Sequence, residues 1–159
     1  MKKIIKLTCP LFFAFTLIFS SVSVKASDYV LSTDIEYFEN GESFEVTIIE
    51  HHSDVSTRAN SKTKSSSKIG KYRDSNGTVL WSVTVTGTFT YNGSTSKCTA
   101  SKVSASSNHS NWRIASKNSS RSKNTASATA TAKRYNGSNV VQTSTKTVKL
   151  SCSKNGTLS

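Results

Sequence analysis

From Leu80 to Thr90 the chain reads LWSVTVTGTFT, and apolar and hydroxyl side chains take turns almost without a break. Val79, Trp81, Val83, Val85, Phe89 and Tyr91 fall on one phase of a two-residue repeat, with Gly87 among them. Ser82, Thr84, Thr86, Thr88 and Thr90 fall on the other, where only Leu80 is apolar. A helix would scatter these residues round its circumference, whereas extended backbone sorts them onto two faces. Threonine suits the wet face, because its branched β-carbon favours extended backbone and its hydroxyl is solvated. The pattern predicts a half-buried strand over 79–91.

The same period recurs along the chain. In NTASATATAKRY, Ala126, Ala128, Ala130 and Ala132 share one face and Thr125, Ser127, Thr129 and Thr131 the other. A face that small predicts close approach of a neighbour beneath a large aromatic. Trp112 and Ile114 share a phase, as do Val148, Leu150 and Cys152. Cys98 and Ala100 share a phase that Val103 and Ala105 leave, which predicts a bulge near Ser101 or Lys102. Asn-Gly pairs at Asn40, Asn76, Asn92, Asn136 and Asn155 punctuate these runs, and Asn-Gly tolerates the positive φ of tight hairpins. Ile35–Phe38 and Phe44–Ile49 around Asn40-Gly41 read as one more hairpin. RANSKTKSSSK, residues 58–68, has no such period and reads as a flexible linker.

The N-terminus changes the setting. MKKIIK is basic, LTCPLFFAFTLIFSSVSV is apolar, and Val24-Lys25-Ala26 fits a cleavage site, so residues 1–26 read as a secretory signal peptide cut after Ala26. The secreted chain would begin at Ser27 and keep Cys98 and Cys152, an even number of cysteines in an oxidising compartment. They are expected to form a disulfide worth on the order of 4 kcal/mol in the loop-entropy model. The fold expected is an all-β antiparallel sandwich, Ig-like in size, over 69–159, preceded by an acidic segment over 27–57.

Charge is strongly segregated. Residues 27–54 hold eight of the nine carboxylates and no Lys or Arg, for a net −8. Residues 55–159 hold seventeen Lys and Arg against Asp74 alone, for a net +16. The outward cations Lys97, Lys102, Arg113, Lys117, Arg121, Lys123, Lys133 and Arg134 form a candidate anion-binding surface. Outside a cell its partners would be anionic cell-wall polymers, glycans or a membrane surface, bound in a salt-dependent way. Export and the lack of a recognised motif argue against nucleic acid.

LWSVTVTGTFTYNGS, the Cys98 that follows, Trp112, NTASATATAK and the closing VKLSCSKNGTLS resemble small secreted Ser/Thr-rich all-β proteins of Gram-positive bacteria, a group without assigned activity. The resemblance spans about residues 68–159, with a weaker echo in EYFENGESFEVTIIE. It implies export and an all-β fold, and no substrate or catalytic residue.

Residues with catalytic or ligating chemistry are few. The histidines are His51, His52 and His109, read as solvent-exposed, so no nucleophile–base pair is indicated and the chain is expected not to be an enzyme. No Cys or His cluster has metal-ligand spacing, and neither a metal nor another cofactor is expected. Two binding roles remain: attachment to the cell envelope, or membrane action by amphipathic strands such as 79–91, with the acidic segment as a masking pro-region.

Overall fold

The computed structural model describes residues 28–51 and 61–159. The signal peptide, His52, Asp54 and the start of the expected linker lie outside them. Eight strands follow in order: β1 (Tyr29–Tyr37), β2 (Ser43–Glu50), β3 (Lys62–Arg73), β4 (Val79–Tyr91), β5 (Ser96–Ser107), β6 (Trp112–Ser122), β7 (Thr125–Asn136) and β8 (Asn139–Ser151). They form two antiparallel sheets, β1-β2-β3-β4-β5 and β6-β7-β8, in simple up-and-down order. The chain is all-β over the described residues, as its two-residue period predicts.

The sheets face each other, with β4 over β7 and β8, β3 over β8, and β5 beside β6 and β7. Between them lie the phased residues of β4: Trp81, Val83, Val85 and Phe89 are wholly buried. Opposite sit the alanines of β7, Ala126, Ala128, Ala130 and Ala132, equally buried. Their smallness has a counterpart in β4. A β-carbon on Gly87 would lie 2.5 Å from the Phe89 ring and 3.0 Å from the Ala126 β-carbon. Glycine facing alanine lets the sheets close up, and the Phe89 ring fills the space the missing side chain leaves. Gly70 is crowded in the same way by Phe44 and Val148. At one end the core is aromatic: Tyr72 stacks on Phe38 and Trp81 at 5.9 and 5.7 Å and tilts against Trp112 at 5.9 Å.

All five Asn-Gly pairs fall at turns, with the glycines at φ between 61° and 88°. The asparagines are not left-handed. Glycine alone takes the left-handed place, as in a type I turn closed by a glycine, rather than the mirrored turn in which both central residues do.

Three expectations are corrected. Residues 62–68 are not a linker: they are the first half of β3, paired with β4 throughout and, from Ser66 on, with β2 as well. Ser66 and Ser67 are buried there, so this serine-rich stretch is an interior strand and not a spacer. The acidic hairpin β1–β2 thereby shares one sheet with β3–β5, and its Phe44 and Ile48 belong to the common core. Next, the bulge sits earlier than expected. Thr88 pairs with Ala100 and Phe89 with Cys98, so Thr99 is the extra residue that returns Val103 and Ala105 to the core side.

The last correction concerns the cysteines, which are buried free thiols and do not form the expected disulfide. Each sulfur turns to a nearby carbonyl instead, Cys98 to Ala100 at 3.2 Å and Cys152 to Ser153 at 3.5 Å. Backbone bonds supply the tie between the chain segments. The amides of Cys98 and Cys152 donate to the carbonyls of Lys123 and Asn124, at 2.8 and 3.0 Å, and so grip the β6–β7 turn from both sides. Burial pushes both thiols above their ordinary pKa. A backbone hydrogen bond at Ala100 and then the charge of Arg121 partly offset this at Cys98, and the Ser96 hydroxyl does so at Cys152.

Candidate anion-binding groove

The charge halves of the sequence meet in the fold, and the meeting consumes only some of the cations. Glu45 pairs with Arg73 at 2.7 Å and Lys71 at 3.7 Å, Glu50 with Lys64 at 2.6 Å, and Glu36 with Lys146 at 3.3 Å. The paired cations stand on β3 and β8, the strands nearest the hairpin. Among the described residues, none of the eight sequence-selected cations makes an ion pair. The hairpin neutralises one side of the molecule and leaves the other positive.

That other side contains the seam where the two sheets meet at β5 and β6. The chain folds back through the loop 108–111, which carries Lys97 beside Lys123 and Ser101 beside Ser119. No ladder joins these strands. Serine hydroxyls do: Ser119 donates to the Ser101 carbonyl at 3.3 Å and Ser107 to the Trp112 carbonyl at 2.7 Å, while Ser101 reaches past β6 to the Ser127 carbonyl of β7 at 3.4 Å. A small hydroxyl side chain fits such a corner, satisfying carbonyls without spreading the sheets.

Two adjoining hollows run along the seam. The larger, about 480 Å³, is lined by Lys97, Arg121 and Lys123 with Thr95, Ser96 and Ser122, and Cys98 forms part of its wall. The smaller, about 320 Å³, is lined by Lys102 and Arg121 with Thr99, Ser101, Ser119 and Ser120. Arg121 belongs to both and makes them one groove. Its guanidinium presents a planar fork of donors suited to two oxygens of a phosphate, sulfate or carboxylate. The lysines add point charges, and the hydroxyls can donate to or accept from sugar and ester oxygens.

Lys123 stands in the left-handed region at φ 50°. A side chain there costs of order 1 kcal/mol relative to glycine. The turn therefore carries a cation where its backbone would favour none.

Four of the eight cations, Lys97, Lys102, Arg121 and Lys123, come together at the seam. Arg113 and Lys133 are cross-strand partners elsewhere on the β6–β7 ladder, next to Arg134, and Arg113 lies over the Tyr135 ring at 4.9 Å. Lys117 lies between the groups on β6. The sequence pattern marks the cations but not the serines and threonines between them. Only the β5–β6 register identifies those, and the alternation within either strand does not contain it.

Of the two described histidines, one differs from its sequence reading. His109 is exposed in its loop. His51 is half-buried: its Nδ1 meets Asp28 Oδ1 at 2.9 Å and its Nε2 meets Ser67 Oγ at 2.8 Å. The order carboxylate–imidazole–hydroxyl is that of a serine hydrolase relay. Its surroundings are not. Ser67 is buried in mid-strand, bonded to Thr86 Oγ1 at 2.8 Å, with β2 and β4 paired on either side. Among the described residues the amides about it serve the two ladders and leave no pair of donors to receive an oxyanion. The chain Asp28–His51–Ser67 acts as a clip that fastens the start of β1, past the end of β2, to β3.

Among the described residues no group of three His, Cys, Asp or Glu side chains is placed to hold a metal ion. No protein-family model, curated protein or solved structure matches the chain.

Proposed function

We propose that this is an exported, non-enzymatic β domain that holds an anionic polymer or glycan of the cell envelope along the β5–β6 groove. One observation carries the reading: Lys97, Lys102, Arg121 and Lys123 gather, without carboxylate partners among the described residues, in a groove lined mostly by hydroxyls. Exposed cations each contribute little, but a repeating polyanion engages several at once, and the contributions add along the polymer. Binding of this kind weakens steeply with salt.

The competing role is membrane action after removal of an acidic pro-region. Two features weigh against it. The apolar face of β4 is already buried against β7, and cutting away residues 27–57 would take Phe44 and Ile48 out of the core. Two assays on the secreted protein separate the roles. Retention on purified cell walls that is lost on raising salt supports the groove. Dye release from anionic vesicles, without wall retention, would replace it with the membrane reading.

A further inference from the structure

The side of the molecule away from the groove is open. There β1 ends one sheet and β8 ends the other, and among the described residues each has a ladder on one edge only, with the C-terminal Ser159 bonded to Ser151 at the very end of β8. Between them runs a cleft of about 530 Å³, with Phe44, Val46 and Val148 in its floor and Ile35 at its rim. It is bridged at one end, where Lys146 meets Glu36 at 3.3 Å and Gln142 reaches Glu42 at 3.4 Å. Every residue of β1 is exposed. Every large hydrophobic side chain that is exposed among the described residues lies on β1 or β8, including Val30, Leu31, Ile35, Tyr37, Val140 and Val141. An apolar surface confined to two free strand edges marks an interface.

We infer that this face joins two copies of the chain in a symmetric dimer, with β1 of each copy pairing with β8 of the other. Charge selects that arrangement. Strand β1 carries Asp34 and Glu36 and no cation, whereas β8 carries Lys146 and Lys149 and no carboxylate. Two copies can meet through this face about a two-fold axis in either of two ways. An axis across the strands sets β1 on β1 and β8 on β8, acid against acid and base against base. An axis along the strands sets each β1 on the partner's β8, acid against base.

Strand sense permits the second arrangement as it does the first, so charge alone chooses between them. In an up-and-down succession of eight strands the first and last run oppositely. The two-fold along the strands preserves that opposition, so each new pair is antiparallel. Both sheets then continue from one copy into the other, and the self-complementary contact closes on itself as a dimer and does not grow. The intrachain Glu36–Lys146 bridge leaves Glu36 largely exposed and able to turn to a partner, while Lys146 stays over the Phe38 and Phe44 rings at 4.1 and 5.0 Å.

Sedimentation equilibrium of the secreted chain over micromolar concentrations tests the inference, with a charge-swap series. The wild type is expected to dimerise. Lys146→Glu with Lys149→Glu, and separately Asp34→Lys with Glu36→Lys, should each raise the dissociation constant at least about tenfold. An equimolar mixture of the two double variants should dimerise again, because each then offers what the other lacks. Ile35→Asp, a change at an exposed position, should give a monomer with an unaltered circular dichroism spectrum. It keeps the test open if a charge-reversed variant folds poorly. A wild type that stays monomeric throughout, or a dimer indifferent to Ile35→Asp and to the charge swaps, overturns the proposal. The groove cations are untouched by these changes, so wall retention fails or survives separately.

Discussion

Replacing Tyr72 by phenylalanine tests how the acidic hairpin is held to the body. Tyr72 is buried, and its hydroxyl donates to Glu42 Oε2 at 2.6 Å; Asn40 Nδ2 donates to the same oxygen at 2.6 Å, and Gln142 more distantly at 3.4 Å. The substitution keeps the ring, its stacking and its volume, and removes one short charge-assisted bond from a nearly buried carboxylate. Bonds to charged groups contribute about 1.5–3 kcal/mol. Asn40 keeps Glu42 partly satisfied, so a loss near the middle of that range, about 2 kcal/mol, is expected.

For a chain of this size that is a fall in Tm of roughly 7 °C. Urea titration followed by tryptophan emission reads it well, because Trp81 and Trp112 both touch Tyr72. Alkali gives a second reading. Burial first, then the Glu42 carboxylate, holds the Tyr72 hydroxyl well above its ordinary pKa. A raised pKa in the folded state means its contribution is full below the unfolded value of about 10 and is lost as pH rises past it, at up to about 1.4 kcal/mol per pH unit. The Tyr72→Phe variant should lack that share of the alkaline loss. A stability change under about 0.5 kcal/mol, with an unchanged alkaline limb, would refute the picture of a buried clasp.

Three further outcomes follow from the same geometry. Lys123→Gly should relieve the left-handed residue and stabilise the fold by about 0.5–1 kcal/mol while weakening retention on cell walls; lower stability on urea titration would mean the turn is not strained by its side chain. A chain starting at residue 61, without the acidic hairpin, should fail to give a cooperative unfolding transition, since Phe44 and Ile48 leave the core. A stable, cooperatively folded product would revive the pro-region reading. Iodoacetamide should leave Cys98 and Cys152 unmodified in the native protein at about pH 8 and alkylate both in urea, because both are buried and burial raises their pKa. Rapid native labelling of either would place that thiol at the surface.

The sequence disclosed structure wherever a single strand carried its own evidence. The alternation over 79–91, the alanine face of β7 and the Asn-Gly turns each depend on neighbours one or two residues away, and each appears in the fold where expected. Features set by pairing between distant strands were harder to see. Residues 62–68 look like a spacer because the ladder to β4, joined from Ser66 by the ladder to β2, can hold a strand whose side chains are Lys, Thr and Ser. The missing disulfide has a similar cause. Parity and compartment favour a bond, but the direction each sulfur takes and the backbone grip on the β6–β7 turn are tertiary facts. The groove was half legible. Its cations were evident, but which of them stand together depends on how β5 folds back on β6.

The claim that the groove, rather than net charge, binds the ligand is tested most directly by matched charge removal. One variant carries Lys97→Gln, Arg121→Gln and Lys123→Gln; the other carries Arg113→Gln, Lys133→Gln and Arg134→Gln, the same loss of charge on another part of β6 and β7. Affinity for a purified poly(glycerol phosphate) would be measured across a salt series. The groove variant is expected to bind at least about tenfold more weakly than the other and to show the shallower salt dependence. Equal losses in the two variants would contradict the account.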